Sequence, residues 1–181
     1  MTSATRSPDP AGRRRFMRTF SRLTLAGPLL TLGTWPTAGL AQQNLPAFDF
    51  FDLAGRAIPP NDPLNQLLYL DFWASWCGPC RQSFPWMNDM HANFGKRGLR
   101  ILAVSLDKNK SNAERFLREV PANFQIAWDP EGNSARAHQV KTMPTSLLIA
   151  CRGSTVTRHS GFSASMTATL EADIKSGLCR A

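Results

Sequence analysis

The stretch from Leu67 to Phe94 limits what this chain can fold into more than any other. It opens with Leu67-Leu-Tyr-Leu-Asp-Phe-Trp-Ala74, a continuous apolar run carrying one charge, Asp71. An unbroken apolar run of this length reads as a strand covered on both faces. Ser75, Trp76, Cys77, Gly78, Pro79 and Cys80 follow directly. Phe84, Met87, Met90 and Phe94 then recur near helical spacing, which predicts a helix over 79–94. Pro85 inside it is expected to kink it. A buried strand feeding straight into a helix requires a layered α/β fold.

The remaining pattern fits that class. Residues 47–53 and 56–58 around Ala54 and Gly55 predict a short hairpin. Leu99 to Leu106 is a second buried strand, Phe124 to Trp128 a short one, and Thr145 to Ala150 a third core strand. Thr155 to Ser160 reads as an edge strand. Ser111 and Glu114 have capping-box spacing ahead of Ala113, Phe116, Leu117 and Val120, which marks a helix stopped by Pro121. Asn133 to Gln139 reads as a short helix, and Met166, Leu170 and Ile174 as a last one over 165–177. The expected architecture is a mixed central sheet with helices on both faces.

Residues 1–41 read differently. Arg13, Arg14, Arg15 and Arg18 precede a broken apolar run from Leu23 to Trp35, and Gly39, Leu40 and Ala41 follow. That order describes an export signal, with residues 42–181 as the folded domain. Gly27, Pro28, Thr31 and Gly33 interrupt a run already short of the roughly 20 apolar residues of a membrane span. A cleaved signal is therefore expected over an uncleaved anchor, leaving no stable membrane insertion after cleavage. The order Arg13 to Arg18 also matches a twin-arginine leader; a general export signal with an arginine-rich front is the other reading. The leader carries six Arg and one Asp of a chain whose net charge is +8. The high charge is thus mostly the leader's, and no nucleic-acid partner is indicated. All four cysteines, Cys77, Cys80, Cys151 and Cys179, fall beyond it, where disulfides persist after export.

Cys77 and Cys80 carry the chemistry. A cysteine at a helix start meets unpaired backbone N–H groups and the positive dipole end, and both favour its thiolate. Cys77 is therefore the expected nucleophile, and Cys80, one turn in and more buried, the resolving thiol. Pro79 costs the first turn nothing, since its missing N–H has no partner there. The competing reading is a metal site. Structural zinc needs further Cys or His at recognisable spacing, which Cys151, Cys179, His91, His138 and His159 do not supply. A two-thiolate Cu(I) site is less excluded. No resident metal or cofactor is expected.

Asp71 through Cys80, continuing to the helix proline Pro85, resembles the thioredoxin active-site strand and loop. Val140-Lys-Thr-Met-Pro-Thr145 resembles that family's second signature, whose proline is cis and lies against the cysteines. The hairpin at 47–58 and the inserted helix and strand at 111–128 are similar to the TlpA-like exported reductases. The resemblance covers roughly 45–177. It implies a thioredoxin-like fold, a dithiol that reduces disulfides of exported client proteins, as in cytochrome c maturation or copper-site assembly, and a membrane reductant that recharges it. It assigns Asp71 as the buried proton acceptor for Cys80. An Asp in an apolar strand should indeed titrate high. It places Trp76, Gly78, Pro79, Met143, Pro144 and Thr145 along the client groove. Met143 departs from the smaller or β-branched residue expected there. A Cu(I) metallochaperone and a disulfide oxidase or isomerase remain the rival functions.

Cys151 follows the third core strand, and Cys179 follows the last helix. The edge strand and that helix each span roughly 20 Å. A helix running back along the sheet returns Cys179 to Cys151, so a structural disulfide is expected between them.

Overall fold

The computed structural model describes residues 49–58, 66–150 and 155–179. Residues 1–41, where an export signal is expected, and Cys151 lie outside the described residues. A two-stranded hairpin comes first: β1 (Phe50–Phe51) pairs antiparallel with β2 (Ala57–Ile58). Its turn is tied by Asp52, whose Oδ1 accepts from the backbone N–H groups of Ala54 and Arg56. Gly55 supplies the left-handed residue, at φ 78°.

β3 (Leu67–Trp73) is buried at every position and lies at the centre of a five-stranded sheet. β4 (Leu99–Ser105) pairs parallel to it, and β5 (Gln125–Trp128) parallel to β4. On the other side, β6 (Thr145–Ile149) and β7 (Thr155–Ser160) add antiparallel, giving the order β5-β4-β3-β6-β7. The helices are α1 (Gly78–Phe94), α2 (Lys110–Glu119), α3 (Asn133–Ala137) and α4 (Thr167–Gly177). No helix of the described residues is long and apolar enough to cross a membrane.

Strand alternation sorts the core into two clusters. Leu67, Tyr69 and Trp73 of β3, with Leu99, Ile101 and Leu148, face α1, α2 and α4. Trp73 packs edge-on to Phe84 (4.9 Å between ring centres) and tilted on Phe116 (4.6 Å), the arrangements aromatic rings prefer. Leu68, Leu70 and Phe72, with Leu102, Val104 and Leu147, face Ile58 of the hairpin and Ala135 of α3. Covering both faces of a parallel-centred sheet removes its apolar residues from water, as the uninterrupted β3 run requires.

Two expectations need correction. The capping box does not form: α2 starts at Lys110, its N-cap is Asn109, and no side chain caps it. Ser111 is inside the helix, so its hydroxyl stands two positions too late. The hairpin is also shorter than 47–58 allowed, with two residues per strand. α1 runs through Pro85 without a break in its helical span.

Candidate active site

The site is built where β3 leaves the sheet. Trp73 O accepts from Leu106 N (2.9 Å) and Ala74 O from Cys77 N (3.0 Å), which turns the chain upward at the strand's end. Asp107 holds this turn. Its Oδ2 accepts from Ser75 N (2.9 Å) and from Ser105 Oγ (3.1 Å), and its Oδ1 from Ser75 Oγ (2.7 Å). Trp128 Nε1 donates to the Asp107 carbonyl (2.7 Å) and ties β5 into the same corner.

Cys77 is the N-cap of α1, in extended conformation, and Cys80 N donates to its Sγ (3.2 Å). The sulfur thus takes the place of a capping oxygen, satisfying one of the orphan N–H groups of the first turn. Cys77 and Cys80 form a disulfide, with Cα atoms 5.3 Å apart. Cys80 is fully buried and Cys77 is 4% exposed. Trp76 beside them is 72% exposed, which is unusual for a large indole in a well-packed chain. Gly78 and Pro79 are exposed as well. A Cβ on Gly78 would meet nothing within 4 Å, so packing does not require glycine there.

Asp71 lies on the β3 face shared with Tyr69 and Trp73, opposite Ser146 across the β3–β6 ladder. It is 1% exposed, and its Oδ2 has no hydrogen-bond partner among the described residues. Burial holds its carboxyl well above the ordinary carboxylate range. The Tyr69 hydroxyl is pushed up too, by burial and then by the Asp71 charge, with a Ser146 hydrogen bond opposing both.

The Met143–Pro144 bond is cis. Pro144 is buried, and its carbonyl accepts from Gly161 N (2.7 Å). Met143 packs partly buried against the cluster that contains both active cysteines. Thr145 is buried, with its hydroxyl donating to Thr142 O (2.7 Å). That side chain therefore braces its own loop. At the far end of the domain Cys179 is disulfide-bonded; Cys151, its expected partner, lies outside the described residues.

Asp107 is the residue that sequence reasoning missed. Its partner Ser75 is 32 positions away, so no local pattern exposes it. The available signal was its place, a polar residue just past the carboxyl end of a parallel strand, where open α/β sheets build their sites.

A disulfide closed across the first turn of a helix leaves, once reduced, one thiol at the positive helix end and one beneath it, which is the asymmetry that thiol exchange needs. With this sheet and a cis-proline loop, that pair makes the molecule a thioredoxin-fold thiol–disulfide oxidoreductase. The AhpC/TSA family profile matches residues 41–161. The thiol-disulfide oxidoreductase ResA of Geobacillus thermodenitrificans is 34% identical over 116 residues, 64% of this chain and 67% of that one. ResA of Bacillus subtilis is 31% identical over 111 residues, 61% of this chain and 62% of that one. The chain thus spans about three fifths to two thirds of these relatives. A Chlorobium tepidum structure assigned as the thiol:disulfide interchange protein DsbE is 43% identical, with a TM-score of 0.71 over 75% of this chain and 96% of that one. The chain belongs to the AhpC/TSA family, among its ResA- and DsbE-like thiol–disulfide oxidoreductases.

Proposed function

We propose that the protein works outside the cytoplasm, in the periplasm, as a reductant of disulfides in exported client proteins. The observation that carries this is the asymmetry of Cys77 and Cys80: the Cys77 sulfur caps the start of α1 and accepts from Cys80 N, while Cys80 lies one turn inside and is fully buried. In the reduced protein, the Cys77 thiolate attacks one sulfur of a client disulfide. A Cys77–client bond forms, and the client's other sulfur leaves and takes a proton. Asp71 in its ionised form, which burial makes a stronger base than an ordinary carboxylate, accepts the Cys80 proton, and the Cys80 thiolate attacks Cys77 Sγ. The Cys77–Cys80 bond closes, and the client leaves with two electrons and two protons gained. A membrane reductant must then return two electrons to the pair.

The client lies between Trp76, Gly78 and Pro79 on one side and the Met143–Thr145 loop on the other, pairing its extended backbone there by strand addition. Clients of the cytochrome c maturation or copper-site assembly type fit this reading. Residues 1–41 are the export signal, either a twin-arginine leader or a general signal with an arginine-rich front, which residues 42–181 leave behind on cleavage. Cys151 and Cys179 form a structural staple separate from the reacting pair. Closing their loop of about 28 residues stabilises by a few kcal/mol in the entropic account.

The test is Cys80→Ser. With no resolving thiol, the client stays bound to Cys77 and is recovered as a covalent adduct from exported fractions, released by dithiothreitol. The same adduct from Cys77→Ser at equal yield contradicts the assignment.

A further inference from the structure

The side of the Pro144 loop away from α1 holds an open cleft of about 330 Å³, lined by Gln139, Lys141, Thr145, Arg158 and Ser160. Thr145 pairs with Ser160, and Leu147 with Arg158, so three of these side chains rise from one sheet face at the end of β6 and β7. Gln139 takes a left-handed conformation, φ 53°, which is rare for a residue with a side chain. It is where the chain leaves α3 for the Pro144 loop.

The chemistry of the lining is one-sided. Among the described residues two cations, an amide and the hydroxyl residues Thr145 and Ser160 line the cleft, and no acidic residue does. Among the described residues neither Lys141 nor Arg158 is in an ion pair. Arg158 is held in place, since Nη2 donates to the His138 carbonyl (2.6 Å). A guanidinium fixed by one neutral carbonyl keeps most of its donor fork for a carboxylate.

The cleft adjoins the Pro144 loop, which forms one wall of the proposed client groove. Lys141 precedes Pro144 by three residues, so their Cα atoms are at most about 11 Å apart, and Thr145 follows Pro144 directly. An extended peptide advances about 3.3 Å per residue. Three residues thus span about 10 Å, comparable to the Lys141–Pro144 separation.

We infer that this cleft seats a carboxylate side chain of the client, close in sequence to its reacting cysteine, and so selects acidic clients. The inference rests on the client-reductase reading above and adds the chemical class of the client.

Two synthetic peptides with the same internal disulfide test it, one with Glu three positions to either side of the attacked cysteine, the other with Gln there. The parent protein is expected to reduce the Glu peptide with a kcat/KM about five-fold higher at low ionic strength, a preference that salt flattens. Lys141→Gln and Arg158→Gln should each shrink the preference, and Lys141→Glu should reverse it. Lys141 is exposed, so its variants test the cleft even where Arg158→Gln unsettles the loop it braces. Equal turnover of both peptides by the parent overturns the inference and leaves the reductase reading standing. So does a preference that survives both Gln substitutions together. If the variants lose only inorganic phosphate binding and treat the two peptides alike, the cleft is a small-anion site and the client role falls. Turnover of neither peptide removes the reductase reading and this inference with it.

Discussion

Asp71 is buried in an apolar face, and its Oδ2 has no hydrogen-bond partner among the described residues, so the folded chain holds its proton more tightly than the unfolded chain does. The sign follows. An unfolded Asp ionises near pH 4, while the folded one stays protonated to a much higher pH. Its contribution is fully present below about pH 4 and declines as pH rises toward the raised folded value. Asp71→Asn, which cannot ionise, is expected to match the parent in urea melts near pH 4 and to gain on it steadily as pH rises. A constant difference across the range contradicts the burial account. The same variant should slow release of the mixed disulfide by Cys80 about a hundred-fold, the lower end of what general-base assistance contributes, while initial attack by Cys77 is retained. Stopped-flow fluorescence with a model disulfide separates the two steps. Asp107 acts on structure. Removing it strands Ser75 N and two hydroxyls, so Asp107→Ala should cost about 2–4 kcal/mol in urea unfolding.

At the scale of elements, the two glycines at opposite ends of the helical layer make a useful contrast. Gly78, in the first turn of α1, has open space where a Cβ would stand, whereas a Cβ on Gly177 at the end of α4 would come within 2.9 Å of Leu67 Cδ1. Gly78→Ala is expected to keep or slightly raise the melting temperature, because alanine is the better helix former. Gly177→Val should cost about 1–3 kcal/mol by overpacking the start of β3. Equal melting temperatures would contradict the packing of α4 on β3. Much of this layer was legible in advance, because β3 and α1 announce themselves by apolar periodicity and Cys77 by its place at their junction. The cis state of Pro144 followed from a family pattern and no local signal. The capping box failed because Ser-x-x-Glu spacing also occurs within a first turn, and there Asn109 had already begun the helix. Asp107 stayed hidden because its bonds join residues brought together only by the sheet.

For the whole molecule, the fold separates chemistry from support. The five-stranded sheet carries Asp71 in its central strand, the cysteines at the carboxyl end of that strand, and the Pro144 loop on the neighbouring strand β6. α4 closes the same sheet face and is tied to β7 by His159 Nε2 and Asp173 Oδ2 (2.9 Å). Every part of the exchange account depends on the pair preferring to give electrons. Its most direct test is the reduction potential of Cys77–Cys80, measured by equilibration with glutathione or a reference thioredoxin. The account predicts a reducing value, between about −200 mV and the roughly −270 mV of thioredoxin or lower. A value near the roughly −120 mV of DsbA, the mark of a strong oxidant, would contradict it.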